Sequence, residues 1–237
     1  MQNDLRFLAI IPARGGSKGI PRKNLVEVKG KSLIQYSIDA AKSSKYIDQV
    51  IVSTDSEEIQ SHAITSGAIS PFLRPSSLSE DTSPTIDAVI YTIEKLKEID
   101  EHFDYIVLLQ PTQPLRQAFH IDEAIEKMLI EGLNNILSVS PVEEHPILMR
   151  TIGKDGNLKR FLNTSSTLRR QDFPDTFLVN GSIYIANTEE VLGNLSLNDI
   201  EHYYIMDRKY NVDIDEPVDL EIFTLKLNNL IREGKAE

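Results

Sequence analysis

The sequence predicts an α/β domain whose mostly parallel sheet is covered by helices on both faces. Three observations carry that expectation. Short, continuous apolar runs alternate with longer amphipathic ones, the polar and glycine-rich clusters follow directly on the apolar runs, and no internal repeat or low-complexity tract interrupts the pattern.

In order along the chain, 7–11 and 49–53 read as buried strands, as do 105–109 and 136–139. Helical patterns lie between them. Segment 32–43 carries Leu33, Tyr36, Ile38, Ala40 and Ala41, segments 57–66 and 85–99 follow, and 121–131 sets Ile121, Ala124, Ile125, Met128 and Leu129 on one stripe. From 141 to 171 the rhythm breaks: prolines, a turn at Lys154-Asp155-Gly156-Asn157 and short apolar pairs suggest a β-rich excursion. Strands resume at 181–186 and 203–206. A closing helix, 217–232, opens on Pro217 and carries Leu220, Ile222, Phe223, Leu225, Leu227 and Leu230. The expectation is a single domain over 1–237 with an inserted lobe near 141–178.

Composition narrows the function. At 237 residues, 41% hydrophobic and 26% charged, the chain is globular rather than disordered. No run approaches the length of a membrane span, and the N-terminus lacks the small-residue cleavage site of a secretory signal. There is no cysteine, hence no disulfide, thiolate metal site or cysteine nucleophile, which agrees with a cytoplasmic location. The net charge of −11 argues against nucleic-acid and membrane partners. It does not argue against a small anionic substrate, because screening within about 8 Å lets a local basic cluster act on its own. Arg14, Lys18, Arg22 and Lys23 form such a cluster.

That cluster lies in IPARGGSKGIPRKN. Gly15, Gly16 and Gly19 allow close backbone approach, Ser17 adds a hydroxyl, and the cations suit a polyphosphate, although a flexible surface turn would share the composition. The spacing fits neither the Walker A pattern nor the dinucleotide fingerprint. Asp213-Ile214-Asp215 is the second signal. On extended backbone both carboxylates point one way while Ile214 turns inward, which suits either Mg²⁺ or a solvated acidic loop. In LLQPTQPLR, two prolines stiffen a loop whose Gln110, Thr112 and Gln113 offer neutral groups to sugar hydroxyls; a plain rigid turn is the other reading. The stretch Asp81-Thr82-Ser83-Pro84-Thr85 reads as an N-cap for the helix that follows. His62, His102, His120, His145 and His202 show no ligand spacing and read as surface or capping groups, and no Gly-x-Ser-x-Gly elbow supports a serine hydrolase.

Taken together in register, IPARGGSKGIPRKN, FLRP with LSEDTS, LLQPTQPLR, RRQDFP with NGSIYI, and VDID resemble the acylneuraminate cytidylyltransferases, the CMP-sialic acid synthetase family. The motifs span nearly the whole chain. Deoxy-octulosonate cytidylyltransferases match less well in the first loop. The resemblance implies a Rossmann-like nucleotidyltransferase fold, a homodimer built through the inserted lobe, and transfer of CMP from CTP to a nine-carbon sugar acid. It implies that Arg14, Ser17, Lys18 and Lys23 hold the triphosphate, with Lys23, Asp213 and Asp215 catalytic. Asn24, Arg74 and Thr85 would surround the cytidine. Gln110 and Tyr184 would face the sugar, Arg170 its carboxylate, and Asp213 and Asp215 would hold Mg²⁺. Similar enzymes that take N-acetylneuraminic acid can carry an aromatic pair where this chain reads Asn194-Leu195-Ser196-Leu197. A legionaminic- or pseudaminic-type sugar is therefore expected alongside N-acylneuraminate. A sugar-1-phosphate nucleotidyltransferase and a non-catalytic nucleotide-binding protein are the rival classes.

Overall fold

A computed structural model describes residues 5–163 and 169–236, with only the backbone of Arg170. In chain order these form β1 (Phe7–Pro12), β2 (Glu27–Val28), β3 (Lys31–Ser32), α1 (Leu33–Lys42), β4 (Ile47–Ser53), α2 (Glu57–Thr65), α3 (Thr85–Lys97), β5 (Tyr105–Leu108), α4 (Ala118–Glu131), β6 (Asn135–Pro141), β7 (Arg150–Ile152), β8 (Leu158–Arg160), β9 (Phe177–Asn187), α5 (Thr188–Leu192), β10 (Tyr203–Ile205) and α6 (Pro217–Arg232). The expected strands and helices are present with their ends displaced by a few residues. α4 starts earlier than its apolar stripe because Gln117 and His120 form a reciprocal capping box.

The six-stranded sheet runs β10-β6-β9-β5-β1-β4. β1 is parallel to both β4 and β5, and β10 is parallel to β6. Alternate residues of β1 enter opposite cores: Phe7, Ala9 and Ile11 pack on one face, Leu8 and Ile10 on the other, all at most 2% exposed. This two-sided burial is why the strand reads as a continuous apolar run rather than an alternating one.

β9 departs from the parallel pattern, pairing antiparallel with both β5 and β6. The chain leaves the end of β6, makes the excursion that contains the exposed β7–β8 hairpin, and re-enters the sheet beside the strand it left. No crossover helix intervenes, so the direction reverses. Along β6, Val139 pairs with Val179 but Leu137 pairs with Tyr184, so β9 carries a bulge at 180–183. Gly181, with φ +70°, sits within it. Side chains hold the bulge: Ser138 Oγ accepts from Ile183 N–H at 2.8 Å and donates to Asn180 Oδ1 at 2.6 Å. None of the helices among the described residues is long and apolar enough to cross a membrane.

Candidate active site

β1 and β5 end on the same edge of the sheet, and the segments that leave them form the site. Past Pro12, Ala13 N–H donates to Ser53 O and Gly15 N–H to Asp55 Oδ1, each at 2.9 Å, which stitches the first loop to the end of β4. Gly19 lies flat against Asp215: a Cβ there would stand 2.1 Å from the Asp215 carbonyl oxygen. Only glycine permits that approach. Lys23 then turns inward, its Nζ 2.7 Å from the Ile214 carbonyl and 2.9 Å from Asp215 Oδ1. Asn24 is buried and donates to the Arg14 carbonyl at 3.0 Å.

The acidic pair arrives from the far end of the chain. Ile214 N–H donates to the Thr112 carbonyl at 3.0 Å and its side chain is fully buried, so the flanking carboxylates face the cleft as the extended-backbone pattern requires. The Asp213 carboxyl is pushed above the ordinary carboxylate range, chiefly by burial; the Asp215 charge adds to this, while a hydrogen bond from Thr112 and the Lys23 charge oppose it. Two carboxylates facing one cleft favour a cation between them. The described residues contain no group of three or more His, Asp or Glu able to hold a metal. Two hard oxygen donors are the kind of set that a Mg²⁺ with few protein ligands would accept.

One cleft of about 610 Å³ is lined by Arg14, Ser17, Lys18, Lys23, Asn24, Arg74, Thr85, Gln110, Asp213 and Asp215. Arg74 is 6% exposed and donates from Nε to Ser79 Oγ at 2.7 Å; burial pulls its guanidinium pKa down. Thr85 is the first residue of α3. Tyr184 lines an adjoining cavity of about 290 Å³, and Gln110 and Asp213 border both spaces. The Tyr184 hydroxyl donates to Asn198 Oδ1 at 3.1 Å. Arg22 does not join the cleft: it pairs with Glu58 outside it. The side chain of Arg170 lies outside the described residues.

One expectation needs correction. Asp81 does not cap α3, whose N-cap is Pro84 with no side-chain acceptor. It bridges Arg14 at 2.8 Å and Lys18 at 2.6 Å instead, and these hydrogen bonds, Lys18 first, hold its carboxyl below the usual range. Of the two readings given for the histidines, His120 takes the capping one: it is 2% exposed, and its Nδ1 accepts from Gln117 N–H at 3.0 Å at the start of α4. In the second cavity the expected Gln113 is joined by three amides additional to the expected site, Asn180, Asn198 and Asn211. Of the three, only Asn180 carried a signal in the sequence, through its place in NGSIYI.

A family model described as cytidylyltransferase matches residues 8–234. The CMP-N,N'-diacetyllegionaminic acid synthase of Legionella pneumophila is 38% identical over 97% of this chain and 99% of its own length. The N-acylneuraminate cytidylyltransferase of Streptococcus agalactiae serotype V is 36% identical over 89% of this chain, which spans about half of that longer protein, 51%. Among solved structures, a CMP:2-keto-3-deoxy-manno-octonic acid synthetase complexed with CTP superposes with a TM-score of 0.72 over 94% of this chain and 99% of its own, at 16% identity. The last likeness bears on the fold alone.

Proposed function

We propose that this chain, which belongs to the cytidylyltransferase family, transfers CMP from CTP to a nonulosonic acid, releasing pyrophosphate. N-acylneuraminate, legionaminic-type and pseudaminic-type acids are the candidate acceptors, and the legionaminic class is favoured by the 38% identity to the Legionella enzyme, against 32% to a pseudaminic acid cytidylyltransferase that is also matched over 94% of its length. A single observation carries this reading: Lys23 Nζ bonds Asp215 Oδ1, so the cationic glycine loop and the acidic pair line the same cleft.

In the proposed reaction a sugar hydroxyl attacks the α-phosphorus of CTP. The new P–O bond forms as the bond to the β-phosphate bridging oxygen breaks, the hydroxyl proton is released to solvent, and pyrophosphate departs in line. Arg14, Lys18 and Lys23 neutralise the triphosphate, and the first-loop backbone comes close to it. Asn24 and Arg74 flank the nucleoside. Gln110, which borders both cavities, orients the sugar against the α-phosphate, and Tyr184 closes the sugar side. Asp213 and Asp215 would hold Mg²⁺, which supplies charge neutralisation at the phosphates when bound.

The exposed apolar side chains of the excursion, Ile152, Leu158 and Phe161, each at least 61% exposed, support a homodimer through this lobe. Arg170 would then serve the partner's sugar carboxylate. We place the enzyme in the cytoplasm, with neither nucleic acid nor membrane as partner. A pyrophosphate-release assay with CTP, Mg²⁺ and a panel of nonulosonic acids tests the proposal. Release with at least one nonulosonic acid is expected; release only with sugar 1-phosphates or with deoxy-octulosonate moves the chain to a rival class.

A further inference from the structure

Arg116 is 1% exposed, and among the described residues no carboxylate is bonded to its guanidinium. Its hydrogen bonds go to two carbonyls and a hydroxyl: Nη1 donates to Ser182 O at 2.8 Å and Gln110 O at 3.4 Å, and Nη2 donates to Ser37 Oγ at 2.6 Å. Its Nε has no partner among the described residues. Burying an unpaired guanidinium is costly, and an apolar side chain of similar length would fill the space without that cost.

The position of those carbonyls explains the arrangement. Ser182 lies in the β9 bulge, outside the paired register with both β5 and β6, so its carbonyl has lost its ladder partner. Gln110 begins the loop after β5, and its side chain packs on Gly181, where an added Cβ would come 2.7 Å from Gln110 Oε1. One guanidinium therefore spans the gap between the bulge and the loop, behind the wall of the cavity that holds Gln110, Gly181 and Tyr184. We propose that Arg116 is a positioning residue for the sugar-side pocket, clamping the Gln110 loop to the β9 bulge and setting an uncompensated positive charge behind the place of the anionic sugar. This rests on the function proposed above. The charge is felt locally: after burial, it is the next cause that lowers the pKa of His120.

The test compares wild type with Arg116→Met and Arg116→Lys by steady-state kinetics and by amide hydrogen exchange of peptides spanning 109–117 and 178–186. Arg116→Met is expected to raise KM for the sugar acid about tenfold or more while KM for CTP stays within about threefold, with faster exchange in those two segments. Arg116→Lys, which keeps the charge but loses the planar fork and part of the reach of the guanidinium, should lie between. Equal rises in both KM values would make the residue merely structural and overturn the proposal, as would unchanged exchange in the two segments. Should Arg116→Met fail to fold, Arg116→Lys is read alone, and an unaltered sugar KM overturns the proposal. A wild type that turns over no sugar acid defeats the proposed function instead, and the exchange comparison then decides the clamp without turnover.

Discussion

Lys23 Nζ lies 2.9 Å from Asp215 Oδ1, joining two residues that stand 192 positions apart in the chain. The lysine side chain is 15% exposed and the aspartate 72%, so the pair reaches from the interior into the open cleft. A cation so fixed neutralises charge without reorganising. Lys23→Ala is expected to lower kcat/KM by about two to three orders of magnitude, with the larger part in kcat. Steady-state rates of pyrophosphate release check this, and a loss confined to KM would assign Lys23 to ground-state binding only.

Asp81 occupies the cations that the triphosphate would use. Arg14 and Lys18 both bond its carboxylate, and the nucleotide must displace it. Asp81→Asn is therefore expected to lower KM for CTP, modestly because the pair is solvent-exposed: about two- to fivefold, shrinking as salt is raised. An increased KM would instead make Asp81 part of the productive site.

The contact between Gly19 and the Asp215 backbone fixes how the first loop meets the acidic pair. Gly19→Ala places a methyl group against a carbonyl oxygen that is part of the chain itself, so the loop has to move. Overpacking of this kind costs about 1–3 kcal/mol. Thermal melting should fall by a few degrees and kcat/KM by about tenfold or more. Unchanged kinetics would show that the loop position is not critical.

His120 gives the protein an acid sensitivity with a definite sign. Burial first, and the Arg116 charge second, pull its pKa from 6.5 down to about 3. Between those values the unfolded chain binds a proton that the folded one refuses, so stability is lost as pH falls below 6.5, by at most about 1.4 kcal/mol per pH unit. His120→Gln offers an acceptor for Gln117 N–H without titrating. Denaturant midpoints between pH 6.5 and 4 should fall more steeply for wild type than for the variant; parallel curves would contradict the assignment.

Local periodicity made most of the scaffold legible. α6 begins at the proline that marks it, and Ile214 is buried between two exposed-face carboxylates as its spacing requires. Site residues on short motifs after β1 and β5 were legible for the same reason: a loop at the end of a parallel strand has one place to go. The reversal and bulge of β9 were not, because both depend on pairing with strands distant in sequence. Nor was Asp81, which resembles a helix cap until Arg14 and Lys18 come within reach. Nor was the burial of Arg116 at the end of LLQPTQPLR, which the lost ladder partner of Ser182 explains.

The most direct test of the account follows the phosphorus. With CTP labelled at the α-phosphate, Mg²⁺ and an unphosphorylated nonulosonic acid, wild type should transfer the label to the sugar and release unlabelled pyrophosphate, while Asp213→Ala should transfer essentially none. Label that moves only when a sugar 1-phosphate is supplied, or that moves equally well without Asp213, would contradict it.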